Sequence, residues 1–145
     1  MALTVKRITL WRREVENQPG MLAGTLEPLA AAGSDLRLVL GYRFPEATGR
    51  AAVEVFPVTG KRAIAAARAA GLEPFESVAC LLIEGDNRPG LGAAVGRALA
   101  DAGLNIAFLV AQVIGRRYTA VVGFTEEADA AMAAKVIRRS AGARR

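Results

Sequence analysis

A phrase written twice, seventy residues apart, constrains this chain more than any other feature: Glu14-Val15-Glu16-Asn17-Gln18-Pro19-Gly20 and Glu84-Gly85-Asp86-Asn87-Arg88-Pro89-Gly90. Over residues 14–33, nine of twenty positions are identical to the residue seventy further on, among them Asn17/Asn87, Leu29/Leu99 and Gly33/Gly103. The chain is two copies of one module. Each phrase closes an apolar run and opens a Leu- and Ala-rich stretch, so it sits where a strand turns into a helix and where backbone N–H groups stand free to receive an anion.

Residues 3–13 read as extended, with Leu3, Val5, Ile8, Leu10 and Trp11 set among Thr, Lys and Arg. After Pro19, which suits the first helical position because it has no N–H to lose, Leu22, Leu26 and Leu29 follow helical spacing until Gly33. Strands 35–44 and 51–58 follow, then a helix over 60–70 that Thr59 can cap and Gly71 ends. The second copy repeats the order: strand 77–84, helix 90–102, strand 105–114, a hairpin at Gly115-Arg116-Arg117 two residues shorter than the first, strand 118–124 and helix 126–138. Gly92 and Gly96 are read as letting the first helix of this copy lie close to the sheet. After Gly142, the counterpart of Gly71, three residues remain where a fourth strand belongs.

Strand-helix-strand units in this order give an α+β fold of two ferredoxin-like (βαββαβ) repeats, side by side in a continuous antiparallel sheet with helices on one face, the last strand of the second repeat truncated. The expected domains are residues 1–75 and 76–142, with a basic tail at 143–145. The missing strand leaves one edge of residues 78–83 open, and soluble proteins cover apolar edges. A homodimer follows, in which another chain, or strand 3–13 of the first copy, pairs there.

Several function classes drop out on composition. The chain carries no histidine, which removes Ser-His and Cys-His catalysis and the commonest transition-metal ligand. Its one cysteine, Cys80, lies in an apolar strand and reads as a buried inert thiol. Of the net charge of +5, the last eleven residues account for all, because they hold five basic and no acidic side chains. A nucleic-acid platform needs a basic stripe interleaved with aromatics, and none is present, so no nucleic-acid partner is expected. No apolar run is long enough to cross a membrane, and residues 1–14 have no signal-peptide core, so the cytoplasm is expected. Gly90-Leu91-Gly92-Ala93-Ala94-Val95-Gly96 has the wrong spacing for a dinucleotide fingerprint and lacks the acidic residue that should follow. The expectation is no metal, no cofactor and no catalytic residue; Glu14, Glu16, Glu84 and Asp86 have no identified partner for acid-base work.

What remains is binding. The first-turn amides at Gly20, Met21 and Leu22, and at Gly90, Leu91 and Gly92, point at one small volume in each copy, where a carboxylate fits. Asn17 and Asn87 carry both donor and acceptor atoms, matching a zwitterion and equally an N-terminal cap. Asp35 and Asn105 open the second strand of each copy.

Ile83-Glu84-Gly85-Asp86-Asn87-Arg88-Pro89-Gly90-Leu91, followed by Asp101-Ala102-Gly103-Leu104-Asn105-Ile106-Ala107, resembles an ACT domain, especially the regulatory ACT domain of serine-biosynthetic phosphoglycerate dehydrogenases. The first copy, with Asn17-Gln18-Pro19-Gly20-Met21-Leu22 and Ala32-Gly33-Ser34-Asp35-Leu36, is similar more loosely. The resemblance implies a ferredoxin-like fold, pairing of two domains into an eight-stranded sheet, and amino-acid effectors bound where domains meet. It implies ligand contacts at Asn87 and Asn105, with counterparts at Asn17 and Asp35; the helix-start residues Pro89, Gly90 and Leu91, and Gly20 and Met21 in the first copy, complete the candidate ligand-binding set. The family's ligand-contacting histidine is replaced by Gly85 and Val15. The expected function is therefore a stand-alone, non-catalytic sensor of a small free amino acid that acts on a partner enzyme or regulator. The alternative is a trans-acting subunit or interaction module whose ligand sites are vestigial. Because Asp35 places a negative charge where a carboxylate would bind, the second copy is expected to carry the better site.

Overall fold

The structure is a computed structural model and describes residues 3–46 and 49–142; the tail at 143–145 lies outside the described residues. The elements run β1 (Thr4–Ile8), β2 (Trp11–Glu16), α1 (Met21–Ala31), β3 (Leu38–Arg43), β4 (Arg50–Phe56), α2 (Lys61–Ala69), β5 (Glu73–Pro74), β6 (Ala79–Asp86), α3 (Leu91–Asp101), β7 (Phe108–Ile114), β8 (Arg117–Phe124) and α4 (Glu127–Gly142). The repeated strand-helix-strand order is as the sequence predicts. The strands pair as two four-stranded antiparallel sheets, ordered β3-β4-β2-β5 and β1-β6-β8-β7, where one continuous sheet was expected.

The first strand is the main departure. Residues 3–13 are two strands in two sheets: β2 pairs with β4 and β5, whereas β1 pairs with β6, from Thr4 opposite Glu84 to Ile8 opposite Cys80. β1 thus occupies, beside β6, the place that β5 holds beside β2, and it supplies the strand missing after α4. The edge that called for a second chain is filled from within the chain. The compact units are accordingly residues 1–8 with 77–145, and residues 9–76, so the opening residues group with the second copy. The linking stretch 72–84 likewise serves both sheets, through β5 and β6. Arg7 fastens β1 in place: its guanidinium donates to both carboxylate oxygens of Glu127 on α4, at 2.9 Å each, and holds that carboxyl below the usual carboxylate range. Arg138 of α4 adds a hydrogen bond to the Val5 carbonyl.

Each unit packs two helices on one face of its sheet. In the unit of residues 9–76, Trp11, Val53 and Val55 meet Leu29 of α1 and Ala63 and Ala67 of α2. In the other, Val5, Leu81, Ile83, Ala120 and Val122 meet Leu91, Val95 and Leu99 of α3 and Ala130, Ala133 and Ile137 of α4. Cys80 is buried, as expected. Three helices end as the glycines announced. Ser34, Leu72 and Leu104 donate back to Leu29, Ala67 and Leu99 past Gly33, Gly71 and Gly103, all with φ near +80°, which is the Schellman arrangement.

Some local expectations give way. The second hairpin is three residues shorter than the first, because Arg43–Ala51 encloses seven residues and Val113–Tyr118 four. Helix α2 is capped by Gly60, with no side-chain cap from Thr59. A Cβ on Gly92 or Gly96 would meet nothing within 4 Å, so these glycines face open space and do not mediate close packing.

Candidate functional site

The doubled phrase folds alike in both copies. Gly20 (φ 92°, ψ −12°) and Gly90 (φ 84°, ψ 2°) are the residues that precede α1 and α3. Met21 N–H donates to the Gln18 carbonyl at 3.4 Å and Leu91 N–H to the Arg88 carbonyl at 3.2 Å. Proline followed by a glycine of positive φ is the signature of a type II turn, so Pro19 and Pro89 hold the turn before the helix, two residues ahead of the first helical residues Met21 and Leu91 and not at the first helical position expected of them. The first intrahelical bonds run from Gly24 to Gly20 and from Ala94 to Gly90, both 2.9 Å. Amides ahead of Gly24 and Ala94 in each helix have no intrahelical acceptor.

Asn17 and Asn87 stand three residues before the cap, so capping is not their task. Their backbone N–H groups donate to Gly49 and Arg116, each at 2.8 Å, which ties the motif to the tip of the following hairpin in both copies. Both side chains are exposed. Asp35 and Asn105 lie three residues before β3 and β7, in the connecting loops.

In the first copy these elements enclose a cleft of about 310 Å³. Asn17, Gln18, Met21 and Leu22 come from the turn and the start of α1, Gly41, Tyr42 and Arg43 from β3, and Ala51, Ala52 and Val53 from β4, with Val15 and Glu16 closing the end. The Gln18 amide reaches the Met21 sulfur at 3.7 Å. Asp35 lies elsewhere, on a cleft of about 540 Å³ with Thr59, Lys61 and Arg62 between the end of α1 and the start of α2. Within one copy, therefore, Asn17 and Met21 come together and Asp35 does not join them. In the second copy Asn87, Pro89, Gly90 and Asn105 are exposed, whereas Leu91 is 3% exposed and belongs to the core; what Leu91 can offer a ligand is its backbone.

Because the copies are one module, their differences are informative. Where the second copy has Ile83 against Val95, both buried, the first has Arg13 and Thr25. Arg13 Nη1 donates to Thr25 Oγ1 at 2.9 Å, and that hydroxyl donates to the Met21 carbonyl at 2.8 Å. A polar brace thus runs from β2 to the first turn of α1, at the wall of the cleft. On the opposite sheet face, Glu54 is 2% exposed and accepts from the Tyr42 hydroxyl at 2.5 Å, with Arg12 Nε 3.3 Å away. Arg12 also pairs with Glu14 at 2.8 Å and lies over the rings of Phe75 and Phe44. Burial first, and then the bond to Glu54, raise the Tyr42 hydroxyl above the ordinary tyrosine value. The matching second-copy residues, Leu82 and Val121, are apolar.

Sequence reasoning missed Gly41, Tyr42 and Arg43. The available signal was a glycine inside a strand, which weakens the strand and marks places where another group approaches closely. Among the described residues, no cluster of acidic or sulfur side chains has the makings of a metal site.

No family model matches the chain, and no curated protein sequence matches it either. Solved structures do. Protein BT0572 from Bacteroides thetaiotaomicron superposes with a TM-score of 0.72 at 16% identity, over 90% of this chain and 88% of that one. The regulatory subunit of aspartate kinase from Thermus thermophilus, in its ligand-free form, gives 0.63 at 17% identity, over 97% of both chains. The corresponding subunit from Thermus flavus gives 0.57 at 18%, again over 97% of both. At such identities the likeness speaks of architecture, and it runs the whole length of the chain. With its doubled turn, its two four-stranded sheets and its helices paired on one face of each, the chain has the fold of a tandem ACT-domain protein.

Proposed function

We propose that this chain is a stand-alone regulatory protein that binds a small free amino acid and passes the event to a partner enzyme or regulator. The observation that carries the reading is the cleft where the Asn17–Met21 turn meets β3. It joins free first-turn amides, side-chain amides and an apolar floor, a combination suited to a zwitterion. Asn17, Gly20 and Met21 form the first-copy site, and Asn87, Pro89, Gly90, Leu91 and Asn105 its second-copy counterpart, with Asp35 as the residue matching Asn105. Support comes from neighbours that are regulatory subunits of aspartate kinase matched end to end. The chain acts as a sensor and not as an enzyme, in the cytoplasm. The ligand shifts it by binding one arrangement better than another.

The exposed edge strands favour a second reading, an interaction module. Leu109, Val113 and Ile114 on β7 are 46%, 48% and 65% exposed, a surface suited to a partner whether or not a ligand binds.

A thermal-shift screen of the common amino acids at about 10 mM, followed by calorimetry, separates the two. At roughly a hundred times its dissociation constant a ligand adds about 2.7 kcal/mol of stability. Silence in both assays refutes the sensor and leaves the module. Asn17→Ala and Asn87→Ala then locate the working site, since losing a buried hydrogen bond to the ligand weakens binding by about 1–3 kcal/mol. A larger effect at Asn87 places it in the second copy, and a larger effect at Asn17 in the first, where Asp35 lies outside the cleft.

A further inference from the structure

Gly41 is in the middle of β3, opposite Val53, and Val53 belongs to the helix-facing core. The missing side chain of Gly41 is therefore on the side toward α1. Its φ is not positive, so no backbone requirement calls for glycine, and a Cβ placed there would meet nothing within 4 Å. The second copy has Ala111 at the same register, opposite Ala120. A strand glycine without a conformational reason and with open space above it leaves room for something else.

That space is the floor of the first-copy cleft. Ala51 and Val53 extend it with small apolar surface, and Met21 overhangs it. At its rim stands Arg43, which lines the cleft and makes no ion pair among the described residues. Glu16 brings the opposite charge to the same cleft. A cation, a carboxylate and an apolar floor between them match the three parts of an α-amino acid with a hydrocarbon or thioether side chain.

We infer that Arg43 receives the ligand's carboxylate and that Gly41 sets the size of the side chain the cleft accepts, which makes apolar amino acids of the size of leucine, methionine or phenylalanine the ligand class. This rests on the amino-acid-binding reading above and narrows it. Each methylene admitted to an apolar pocket changes affinity about 10-fold or more, and a guanidinium–carboxylate bond is of the strong, charge-assisted kind.

The test is calorimetry of the full chain with glycine, alanine, leucine, methionine, phenylalanine, serine, lysine and leucinamide. The variants are Gly41→Ala, Gly41→Val and Arg43→Gln. Valine favours a strand and alanine already stands at this register in the second copy, so the Gly41 pair keeps the fold. The wild type should bind leucine, methionine or phenylalanine at least tenfold more tightly than alanine, and leucinamide about tenfold more weakly than leucine. Gly41→Val should weaken the large ligands tenfold or more and alanine less than threefold, with Gly41→Ala between. Arg43→Gln should bring leucine down to the level of leucinamide. Binding of an amino acid that neither Gly41 variant re-sorts by size, or a preference for serine or lysine, overturns this inference and leaves the sensor standing. No binding of any compound overturns both.

Discussion

Arg12→Leu should be among the most damaging single substitutions outside the apolar core, and pairing it with Glu54→Val should undo the damage. Arg12 Nε is buried and has no acceptor in line, so its relation to Glu54, 3.3 Å away, is charge attraction without a hydrogen bond. At an effective dielectric of about 20 that attraction is roughly 5 kcal/mol before desolvation is subtracted. Removing the cation leaves the Glu54 carboxylate, 2% exposed, with the Tyr42 hydroxyl donating to it. Breaking a buried pair from one side costs about 3–5 kcal/mol, and the Tyr42 bond places the expected loss near the lower figure, about 3 kcal/mol. Glu54→Val is milder, about 1 kcal/mol for the orphaned Tyr42 hydroxyl, because Arg12 keeps Glu14 and the two aromatic rings. The double variant carries the second copy's Leu82 and Val121 chemistry and should stand within about 1 kcal/mol of wild type, since well-packed apolar residues replace buried ion pairs at little loss. Urea unfolding of the four proteins gives the coupling energy, expected near 3 kcal/mol; in thermal unfolding of a chain of this length the Arg12→Leu Tm should fall about 6–12 °C. A double variant as unstable as Arg12→Leu, or an Arg12→Leu loss below 1 kcal/mol, would show that the pair is not what holds Glu54.

Other perturbations follow from the turn, the first strand and the tyrosines. Gly20→Ala and Gly90→Ala meet no steric obstacle, so each should lose only the cost of a left-handed backbone, about 1–2 kcal/mol; equal urea midpoints for wild type and variants would deny the type II turn. Deleting residues 1–8 removes the partner of β6, and the product should scatter light and exchange the amides of Cys80, Leu82 and Glu84 rapidly, whereas an unchanged exchange pattern would place β1 elsewhere. In Tyr118→Phe the remaining tyrosine, Tyr42, should titrate above the ordinary tyrosine value when followed by ultraviolet absorbance, because burial and Glu54 favour its neutral form. A raised folded value means that this stability is complete below the unfolded tyrosine value and is lost as pH rises through the folded one. Glu54→Gln should then lower the Tyr42 midpoint, and an unmoved midpoint would sever that link.

The repeat, the strand-turn-helix junctions and the helix ends were legible because each is written locally. Proline and glycine at fixed offsets determine φ, and Gly33, Gly71 and Gly103 end helices by backbone geometry alone. Pro19 was misplaced by two positions because its φ suits both the first helical residue and the second residue of a type II turn. The division of residues 3–13 into two strands was not legible, since Thr9-Leu10 carries no glycine or proline to mark a break; the open edge at 78–83 did name strand 3–13 as one of its two candidate partners, and Thr4–Ile8 is the part that pairs there. Glu54 stands within Ala51-Ala52-Val53-Glu54-Val55-Phe56, and a lone carboxylate in an apolar run is a sign of a buried partner. Naming Arg12 and Tyr42 as those partners required the register of three strands. The cleft was out of reach for the same reason: Gly41, Arg43 and Asn17 are neighbours only after β3 has been laid against β4.

The placement of β1 also bears on how the protein comes into being. Thr4 and Glu84 are 80 residues apart in the chain, so at about 5–20 residues per second the first strand is made roughly 4–16 s before the strand it pairs with. Residues 9–76 form a complete βαββαβ unit of contiguous sequence and can finish folding on the ribosome in that interval, with Thr4–Ile8, which mixes buried and basic residues, protruding from it as an uncommitted arm. The other unit must then close a loop that contains an already folded one, which makes its assembly the slow step and the arm the segment on which a nascent-chain chaperone, or an ill-chosen amino-terminal tag, would exert its effect.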